Sequence, residues 1–515
     1  MRLRSNLIIK QSAKGNVLAN QSARGPNLAA PDILKPDVTA PGVDILAGHT
    51  PDVANGIRGA RFQYLTGTSM SVPHVAGLAA LVKQKHPDWS PAAIRSALMT
   101  TARQDITLAD GETEAGPFDI GAGHVVPNLA IDPGLVYDAY KDDYDAFNCG
   151  DTLGDLSSPE CEALIMAGFS TDPSDLNLPT IAVAELPGET TVTRRVTNVG
   201  ETLARFESSV ESPEGVDITV SPAVLDLAPG QTAEFEVTLS TNGATLDEWR
   251  FGSLTWDDGS REARTPIVVR PTNFAAPEAV AGTGAAGSLS FDVEFGYDGD
   301  YTAQVTGLER ATIGTCEETA GGQIVIVPCV VSEDPLNNYV FQEATSQLPL
   351  SVQRFEVTVP EGTVLLRAAL FNDDTDGEDD LDLYMYRPAG QDESGNNLFI
   401  EYPPGTSNDS NELIELEFPV PGLYLVDVHG FDTDSSNGSG AEFKLSVWAL
   451  QSGNDKGNLT ITAPIAATAG TRATIDAQWQ NLGSGRYLGG VEHQDNGGAL
   501  SPFTSIDIFV PQPAP

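Results

Sequence analysis

The sequence predicts a multidomain protein in which an α/β portion is followed by all-β domains of the sandwich type. Apolar residues at helical spacing occur in the early part of the chain, for example within residues 91–98. From about residue 176 onward, short alternating segments are separated by Gly, Pro and Asn, and no long helical period recurs. A chain of 515 residues is long enough for about three or four domains.

Acidic residues dominate the composition. The chain has 72 Asp and Glu residues against 28 Lys and Arg residues, which gives a formal net charge of -44. Such a surface repels phosphate backbones and anionic lipids, so we expect no nucleic-acid or membrane-surface partner. A soluble protein built for salty surroundings is the simpler interpretation, and a cation-rich binding face is the alternative. No apolar run approaches the roughly 18 residues that a membrane span requires.

The four cysteines form two close pairs along the chain, Cys149 with Cys161 and Cys316 with Cys329. Two local disulfides in an exported, extracellular protein are the favoured interpretation. No histidine cluster accompanies either pair, which disfavours zinc. The first ten residues offer only a three-residue apolar run at 7–9, which is too short for a signal peptide. An exported composition without an export signal predicts that the true N-terminus is missing.

A helix with an unusual composition follows Ser69. Every residue from Val75 to Val82 is apolar or Gly, so a helix here is expected to be buried on all sides. Ser69 would lie at its N-terminal end, where unpaired backbone N–H groups and the helix dipole favour developing negative charge. An isolated serine at such a position is more often an ordinary N-cap, and that interpretation stays open on these grounds.

The string GTSMSVPHVAG at residues 67–77 resembles the nucleophile motif of the subtilisin-like serine proteases, or subtilases. The resemblance implies that Ser69 is the nucleophile of a serine endopeptidase and forms an acyl-enzyme with a protein or peptide substrate. The other common serine-hydrolase pattern, Gly-x-Ser-x-Gly, fails because residue 71 is Ser. His74 matches a structural histidine of the subtilase motif, and we do not expect it to be the general base.

Flanking segments resemble the same family in the same order. They are SARGPN at 22–27, KPD at 35–37, the stretch 117–137 and DYDAFNCG at 143–150. The resemblance implies a subtilisin-like parallel-sheet domain of which only the C-terminal part is present. Residues 40–69 are expected to form a strand, a loop and a strand that lead to Ser69. Ser90 and Pro91 are expected to cap a second packed helix.

The remaining catalytic groups cannot be assigned in this sequence. In the subtilases they occur in the order Asp, His, oxyanion-hole Asn and Ser, so the first three are expected before Ser69. The only histidine there is His49, which lacks the His-Gly-Thr context of the general base. The expected Asp-Ser/Thr-Gly pattern is absent from Asp32, Asp37, Asp44 and Asp52. Loss of the base costs subtilisin itself about 10⁶-fold in turnover, so this chain alone is predicted to be inactive.

Later stretches resemble accessory β domains of larger subtilases. Residues 176–271 resemble the fibronectin type III-like domain of cucumisin-like subtilases, which is a β-sandwich. FEVTVPEGTVLLRAALFNDD, DDLDLYMYRP and GLYLVDVHGF resemble the bacterial pre-peptidase C-terminal domain. The predicted domains are a partial subtilisin-like domain (1–140), a connecting segment (141–175), a fibronectin type III-like sandwich (176–271), a linking β region (272–349), a pre-peptidase C-terminal-like β domain (350–450), and a small β domain with a Pro-rich tail (451–515).

The acidic stretch NDDTDGEDDLD at 372–382 raises the question of calcium. It has EF-hand spacing at Asn372, Asp374, Asp376 and Gly377. Leu383 occupies the position where an EF-hand requires a bidentate Glu, which excludes that motif. A solvated acidic loop is the favoured interpretation. The alternative is another type of calcium site, with ligands among Asp379, Asp380, Asp382, Asp432 and Asp434.

Trp448 and Trp479 are expected in hydrophobic cores instead of on a sugar-stacking surface.

Three hypotheses for the whole chain follow from these observations. The leading one is the C-terminal portion of an exported subtilisin-like endopeptidase, from a truncated or split gene. The second is a non-catalytic secreted protein whose β domains bind a polymer or a cell surface. The third is complementation, in which a separate chain supplies the Asp and His.

Overall fold

A computed structural model describes residues 15–50, 61–150, 159–320, 323–342, 348–377, 379–391, 397–407, 409–433, 440–495 and 497–512. These residues form two compact units. The first contains the described residues up to 275 together with 294–298 and 468–471, and the second contains the others. Asp52, Asp434 and the first ten residues lie outside the described ranges. None of the described helices is long and apolar enough to cross a membrane.

The described α-helices all lie in the first unit. They are α1 (Thr68–Lys85), α2 (Pro91–Thr100), α3 (Pro117–Ile120), α4 (Pro127–Ala130), α5 (Lys141–Gly150) and α6 (Pro159–Met166). The strands of this unit are β1 (Ile45–Gly48), β2 (Phe62–Leu65), β3 (Leu135–Val136), β4 (Ile181–Leu186), β5 (Glu189–Asn198), β6 (Ala204–Glu211), β7 (Val216–Ser221), β8 (Val224–Leu227), β9 (Thr232–Thr241), β10 (Arg250–Asp257), β11 (Glu262–Pro271) and β12 (Phe274–Ala275).

The early part of the first unit is α/β, as predicted. β1 and β2 form an antiparallel hairpin in which Leu46 is paired with Tyr64, and α1 begins three residues after β2 ends. The two expected strands precede the helix in the expected order, and residues 51–60 between the strands lie outside the described residues. Parallel pairing in this region consists of isolated bridges, from Val17 to Thr107 and from Thr39 to His124.

α2 has the predicted start and the predicted buried side. Ser90 is its N-cap, and its Oγ accepts a hydrogen bond of 2.9 Å from the Ala93 amide while Pro91 opens the helix. Ile94 and Leu98 are buried against Val82 of α1. α2 therefore packs against one side of the helix that carries Ser69.

The prediction that α1 is buried on all sides is wrong for the described chain. Val82 is its only buried residue among those described, whereas Val72 is 63 % exposed and Leu81 is 57 % exposed. The physical reason is that α2, Trp89 and Ala130 contact a single side of the helix. Its opposite side is apolar but has no described element packed on it.

A β-sandwich completes the first unit. One sheet has the strand order β4-β11-β10-β6-β8 and the other has the order β3-β5-β9-β7. Trp256 and Phe235 are fully buried between the sheets, with ring centroids 5.1 Å apart. Tyr137, just after β3, is buried in the same core, and its hydroxyl is 2.8 Å from Thr265 Oγ1. The end of the α/β region is thereby anchored in the sandwich.

The second unit consists of strands in its described part. They are β13 (Ala279–Thr283), β14 (Gly287–Phe295, ending in the first unit), β15 (Gly299–Asp300), β16 (Thr302–Arg310), β17 (Thr312–Ile313), β18 (Cys316–Ala320), β19 (Gln323–Val327), β20 (Cys329–Val331), β21 (Val352–Val359), β22 (Thr363–Ala369), β23 (Asp380–Gln391), β24 (Asn397–Glu401), β25 (Leu413–Glu417), β26 (Gly422–Asp432), β27 (Ala441–Phe443), β28 (Ser446–Gln451), β29 (Leu459–Thr462), β30 (Ala466–Ala467), β31 (Thr471–Trp479), β32 (Gly485–Asp495) and β33 (Gly498–Val510).

Two of its sheets face each other across one hydrophobic core. The sheets have the orders β17-β28-β22-β25 and β21-β26-β23-β24, and Leu366, Leu383 and Val426 lie in the core between them. A further sheet, β13-β33-β32-β16, joins strands from both ends of this unit. Trp448 is 3 % exposed and Trp479 is 4 % exposed, which confirms their predicted place in cores.

Both predicted disulfides are present. Cys149 is bonded to Cys161, which links α5 to α6, and Cys316 is bonded to Cys329, which links β18 to β20. No free cysteine remains in the chain. The pairing of near neighbours is what the spacing predicts, since each bond closes a short local loop.

A buried ion pair lies on the outer face of the β21-β26-β23-β24 sheet. Arg354 donates two hydrogen bonds of 2.6 Å to the Asp427 carboxylate, and the two side chains are 1 % and 0 % exposed. Tyr339 donates a third bond of 2.7 Å to the same carboxylate. A carboxylate held by three donors in a buried place satisfies its hydrogen-bonding capacity without water.

We expect Asp427→Ala to lower the free energy of unfolding by about 3–5 kcal/mol, because Arg354 would remain buried without a counter-charge. Asp226→Ala is the matched control. Its partner Arg205 is 57 % exposed, and loss of such a surface pair costs about 0–1 kcal/mol. Urea denaturation of the full chain measures both values. Equal losses in the two variants would contradict this prediction.

Candidate active site

Ser69 lies in the first turn of α1, and it is not the N-cap. The N-cap is Gly67, which has no side chain to accept a bond from the first amides of the helix. The first turn contains no acidic side chain, and Ser69 is exposed. The N-cap interpretation of Ser69 is therefore wrong. Backbone N–H groups and the positive end of the helix dipole lie beside an accessible hydroxyl.

The start of α1 is fixed by the turn that precedes β1. Gly67 donates a backbone hydrogen bond of 2.9 Å to the Gly42 carbonyl, and Ser71 Oγ donates a bond of 3.0 Å to the Ala40 carbonyl. A Cβ on Gly42 would lie 2.3 Å from Ser71 Oγ and 2.9 Å from the Gly67 carbonyl oxygen. Residue 42 must therefore be Gly for the turn to approach the helix this closely.

No pattern in the sequence indicates this junction of Gly42, Gly67 and Ser71. The Ala-Pro-Gly turn at 40–42 predicted a change of direction, but its contact with the helix start is a long-range feature. The junction sets the direction of the first turn of α1 and so the position of the Ser69 hydroxyl.

The four histidines of this unit are engaged away from Ser69. His74 Nδ1 is 2.8 Å from the Met70 carbonyl, one turn back on the same helix, as a structural histidine would be. His49 Nδ1 is 2.5 Å from the Thr50 carbonyl, and His86 Nε2 is 2.8 Å from the Ile131 carbonyl. His124 is 3.1 Å from Thr39 Oγ1, and its pKa is lowered by burial and by Arg103. Among the described hydrogen bonds, none joins Ser69 to an imidazole.

The upstream aspartates also have other partners. Asp37 binds Lys35 at 3.0 Å and Arg95 at 2.8 Å, so it joins the start of this region to α2. Asp32 accepts a bond of 2.7 Å from the Ala184 amide of β4. The Asp44 amide donates to Thr66 Oγ1 at 2.9 Å beside the β1–β2 hairpin. The Asp32 and Asp37 carboxylates thus have structural partners, and among the described hydrogen bonds none joins Ser69 to a carboxylate.

The acidic loop of the second unit is a separate feature. Asn372–Asp374 is a short 3₁₀ turn, and Asp374 binds Lys444 at 3.2 Å and Arg486 at 3.3 Å, so these residues do not form a calcium loop. The interpretation as a solvated loop is wrong for Asp379 and Asp382, which are each 5 % exposed. Within the described ranges, no group of three His, Cys, Asp or Glu side chains is arranged to hold a metal ion.

Residues 5–123 match the subtilase family model, and residues 175–269 match the model of a fibronectin type-III domain. Residues 5–123 are therefore similar to subtilases. The relatives include subtilisin-like protease SBT3.9 of Arabidopsis thaliana, which is 41 % identical over 239 residues, or 44 % of this chain and 31 % of its own length. Subtilisin-like protease SBT3.2 of the same plant is 43 % identical over 44 % of this chain and 32 % of its own length.

The chain thus spans about a third of the length of these subtilase relatives. Among solved structures, tripeptidyl peptidase 2 is 14 % identical over 83 % of this chain and 29 % of its own, with a TM-score of 0.25. The secreted serine protease VesC from Vibrio cholerae is 8 % identical over 54 % of this chain and 50 % of its own, with a TM-score of 0.16. These scores are too low to support a structural inference.

Asp380 gives the acidic loop a testable pH dependence. Burial, followed by repulsion from the neighbouring Asp382, Asp432 and Asp409 carboxylates, raises its pKa to about 6. The raised pKa means that the folded state retains a proton that the unfolded chain releases near pH 4. The resulting stability is present at low pH and is lost as the pH rises through about 6.

Asp380→Asn is therefore expected to be more stable than the parent chain at about pH 8, and the difference is expected to vanish below about pH 4. Urea denaturation across this pH range measures the effect, with Asp376→Asn as an exposed control. Addition of calcium chloride at about pH 8 separates the two interpretations of the loop. If the loop binds calcium, the ion is expected to stabilise the parent chain and not Asp380→Asn. If the loop has no calcium site, the stability difference between the two proteins stays unchanged. A parent chain as stable as Asp380→Asn at every pH would refute the prediction.

Proposed function

We propose that this chain provides the nucleophile of a subtilisin-type serine endopeptidase that acts on proteins or peptides outside the cell. The observation that carries the proposal is the exposed Ser69 hydroxyl in the first, uncapped turn of α1. The subtilase match over residues 5–123 supports the same assignment. Two disulfides support an extracellular location, since such bonds persist in oxidising surroundings.

The chemistry assigns Ser69 a defined step. Its Oγ attacks the carbonyl carbon of a peptide bond as a base removes the hydroxyl proton, and the carbonyl oxygen becomes an oxyanion. Collapse of this intermediate expels the amine, which takes up the proton, and leaves an acyl-enzyme on Ser69. Water then releases the acid by the reverse sequence. The amides of the first turn of α1 lie where they stabilise negative charge near that hydroxyl.

The base and its orienting carboxylate come from outside the described residues in this proposal. The four histidines of the described α/β region and the carboxylates of Asp32 and Asp37 are bonded elsewhere. Since loss of the base costs a subtilisin about 10⁶-fold in turnover, the chain by itself would be inactive.

We expect a fluorophosphonate probe to label the chain alone no faster than its Ser69→Ala variant. Peptide hydrolysis by the chain alone should be lower by about 10⁶-fold than that of a complete subtilase. Mass spectrometry of the labelled chain and a fluorogenic peptide assay measure the two quantities. Rapid labelling of Ser69 in the isolated chain would contradict this prediction, because it would show that a residue of this chain serves as the base.

A non-catalytic binding protein is the second candidate. It is favoured by the lack of a described base at Ser69 and by the extent of the β domains, including the fibronectin type-III match at residues 175–269. In this proposal the β domains bind an extracellular polymer or a cell surface.

For this candidate we expect the full chain with Ser69→Ala to be retained on insoluble collagen, keratin or chitin, or on cells. Co-sedimentation measures retention, and an acidic protein of similar charge serves as the control for electrostatic adsorption. Failure to bind each of these surfaces would exclude the binding role.

A further inference from the structure

An irregular segment lies across the outer face of the β21-β26-β23-β24 sheet. We call this segment, residues 334–342, the strap; it contains neither helix nor strand. Tyr339 and Phe341 of the strap contact aromatic side chains of the sheet. Val340 between them is 57 % exposed, and Leu336 is 80 % exposed. The strap therefore has an inner side on the sheet and an outer side in water.

The part of the sheet beneath the strap is rich in charged and aromatic side chains. Arg354 is paired with Asp427, and Asp427 with Tyr384, so the three lie side by side on neighbouring strands. His429 lies two residues beyond Asp427 and hence on the same side of the sheet. Arg354, Asp427 and His429 are all buried, although the hydrophobic core lies on the opposite side. We define the covered face as Arg354, Tyr384, Tyr386, Phe399, Asp427 and His429.

The first half of the strap is bound to the covered face by a carboxylate and a phenol. His429 Nε2 is 3.2 Å from the Asp334 carboxylate. The ring of Tyr339 stacks on that of Tyr384, with centroids 3.8 Å apart and planes 13° apart. The Tyr339 hydroxyl also donates a hydrogen bond of 2.7 Å to the Asp427 carboxylate. One tyrosine thus uses both its ring and its hydroxyl on the face.

The end of the strap is held by a second aromatic ring and a backbone carbonyl. The Phe341 ring lies 4.2 Å from that of Tyr386 and 4.8 Å from that of Phe399, between centroids. The Arg354 guanidinium lies 4.9 Å from the centroid of Phe341 and donates a bond of 2.6 Å to the Gln342 carbonyl. Such a stack of a cation on a ring is attractive.

Side chains, and not a backbone ladder, hold the strap in place. Among the described backbone hydrogen bonds, none joins residues 335–341 to the sheet. Segments with few such bonds open locally at a low free-energy cost. A buried ion pair like that of Arg354 with Asp427 is weak evidence for a role in stability, because apolar side chains of similar volume often stabilise a fold as well. Arginine and tyrosine are instead enriched where proteins recognise partners.

We propose that the covered face is a recognition site for an extended peptide segment of another protein, and that the strap occupies this site as a built-in competitor. The strap defines the chemistry of the partner. The segment carries a carboxylate, with aromatic side chains five and seven residues later, as at Asp334, Tyr339 and Phe341. A peptide is favoured as the ligand because the groups that the face binds are a carboxylate, a phenol and a backbone carbonyl.

The test uses the full chain with Tyr339→Ser and Phe341→Ser combined, which removes both aromatic anchors of the strap and keeps the covered face. Leu336→Ser combined with Val340→Ser is the matched control, since these side chains lie on the outer side of the same strap. The probe is a fluorescein-labelled synthetic peptide with the sequence of residues 333–342, and fluorescence anisotropy measures its binding. A tethered competitor has an effective concentration in the millimolar range, so the unmasked variant is expected to bind the peptide at least about 10-fold more tightly than the parent or the control.

Tyr384→Ala, added to the unmasked variant, is expected to weaken peptide binding by about 10-fold or more, because it removes the ring on which the ligand tyrosine stacks. A peptide with serine in place of both aromatic residues should not bind. Thermal unfolding checks that each variant is folded, and Tyr339→Ser alone replaces the double variant if the latter is not.

Equal binding by the parent and the unmasked variant would overturn the proposal. So would the absence of binding to a folded unmasked variant at about 1 mM peptide, or binding of chitin oligosaccharides in place of the peptide. None of these measurements involves Ser69, so the outcome is independent of the catalytic proposal.

Discussion

The stretch of α1 from Val75 to Val82 is apolar on every side, and such a stretch is stabilised by burial on every side. Burial of apolar surface contributes roughly 25 cal/mol per Å², so side chains as large as Val72 and Leu81 represent a substantial unrealised stabilisation while they face water. The contacts that α1 does have come from α2 and its neighbours on one side. The surroundings of Ser69 therefore depend on what completes this core.

The junction at the start of α1 does not depend on that cover. Gly42, Gly67 and Ser71 hold the first turn through backbone and side-chain hydrogen bonds of 2.9 and 3.0 Å. Because these bonds lie within the described chain, they fix the direction of the helix start without any further contact. The direction of the Ser69 hydroxyl is thus set by this junction, separately from the packing of α2 on the helix.

Sequence reasoning succeeded where the determining interactions are local. Ser90 caps α2 because its side chain reaches an amide three residues away, and each disulfide joins cysteines that are 12 or 13 residues apart. It failed where the outcome depends on distant neighbours. An apolar run indicates that α1 requires apolar neighbours, but it does not indicate which residues lie beside the helix. The pairing of Arg354 with Asp427 and the bond from Ala184 to Asp32 link residues 73 and 152 positions apart, and no short-range pattern encodes them.

Magnitudes decide what Ser69 can achieve by its position alone. The end of a helix dipole stabilises a nearby negative charge by about 0.3–1 kcal/mol, and by about 2 kcal/mol in a partly buried place. An oxyanion-hole donor contributes about 2.7–4 kcal/mol, and a base worth 10⁶-fold corresponds to about 8 kcal/mol. Placement at the N-terminus of α1 is thus the smallest of the three effects. A serine at this position is chemically effective only where the two larger contributions are also supplied.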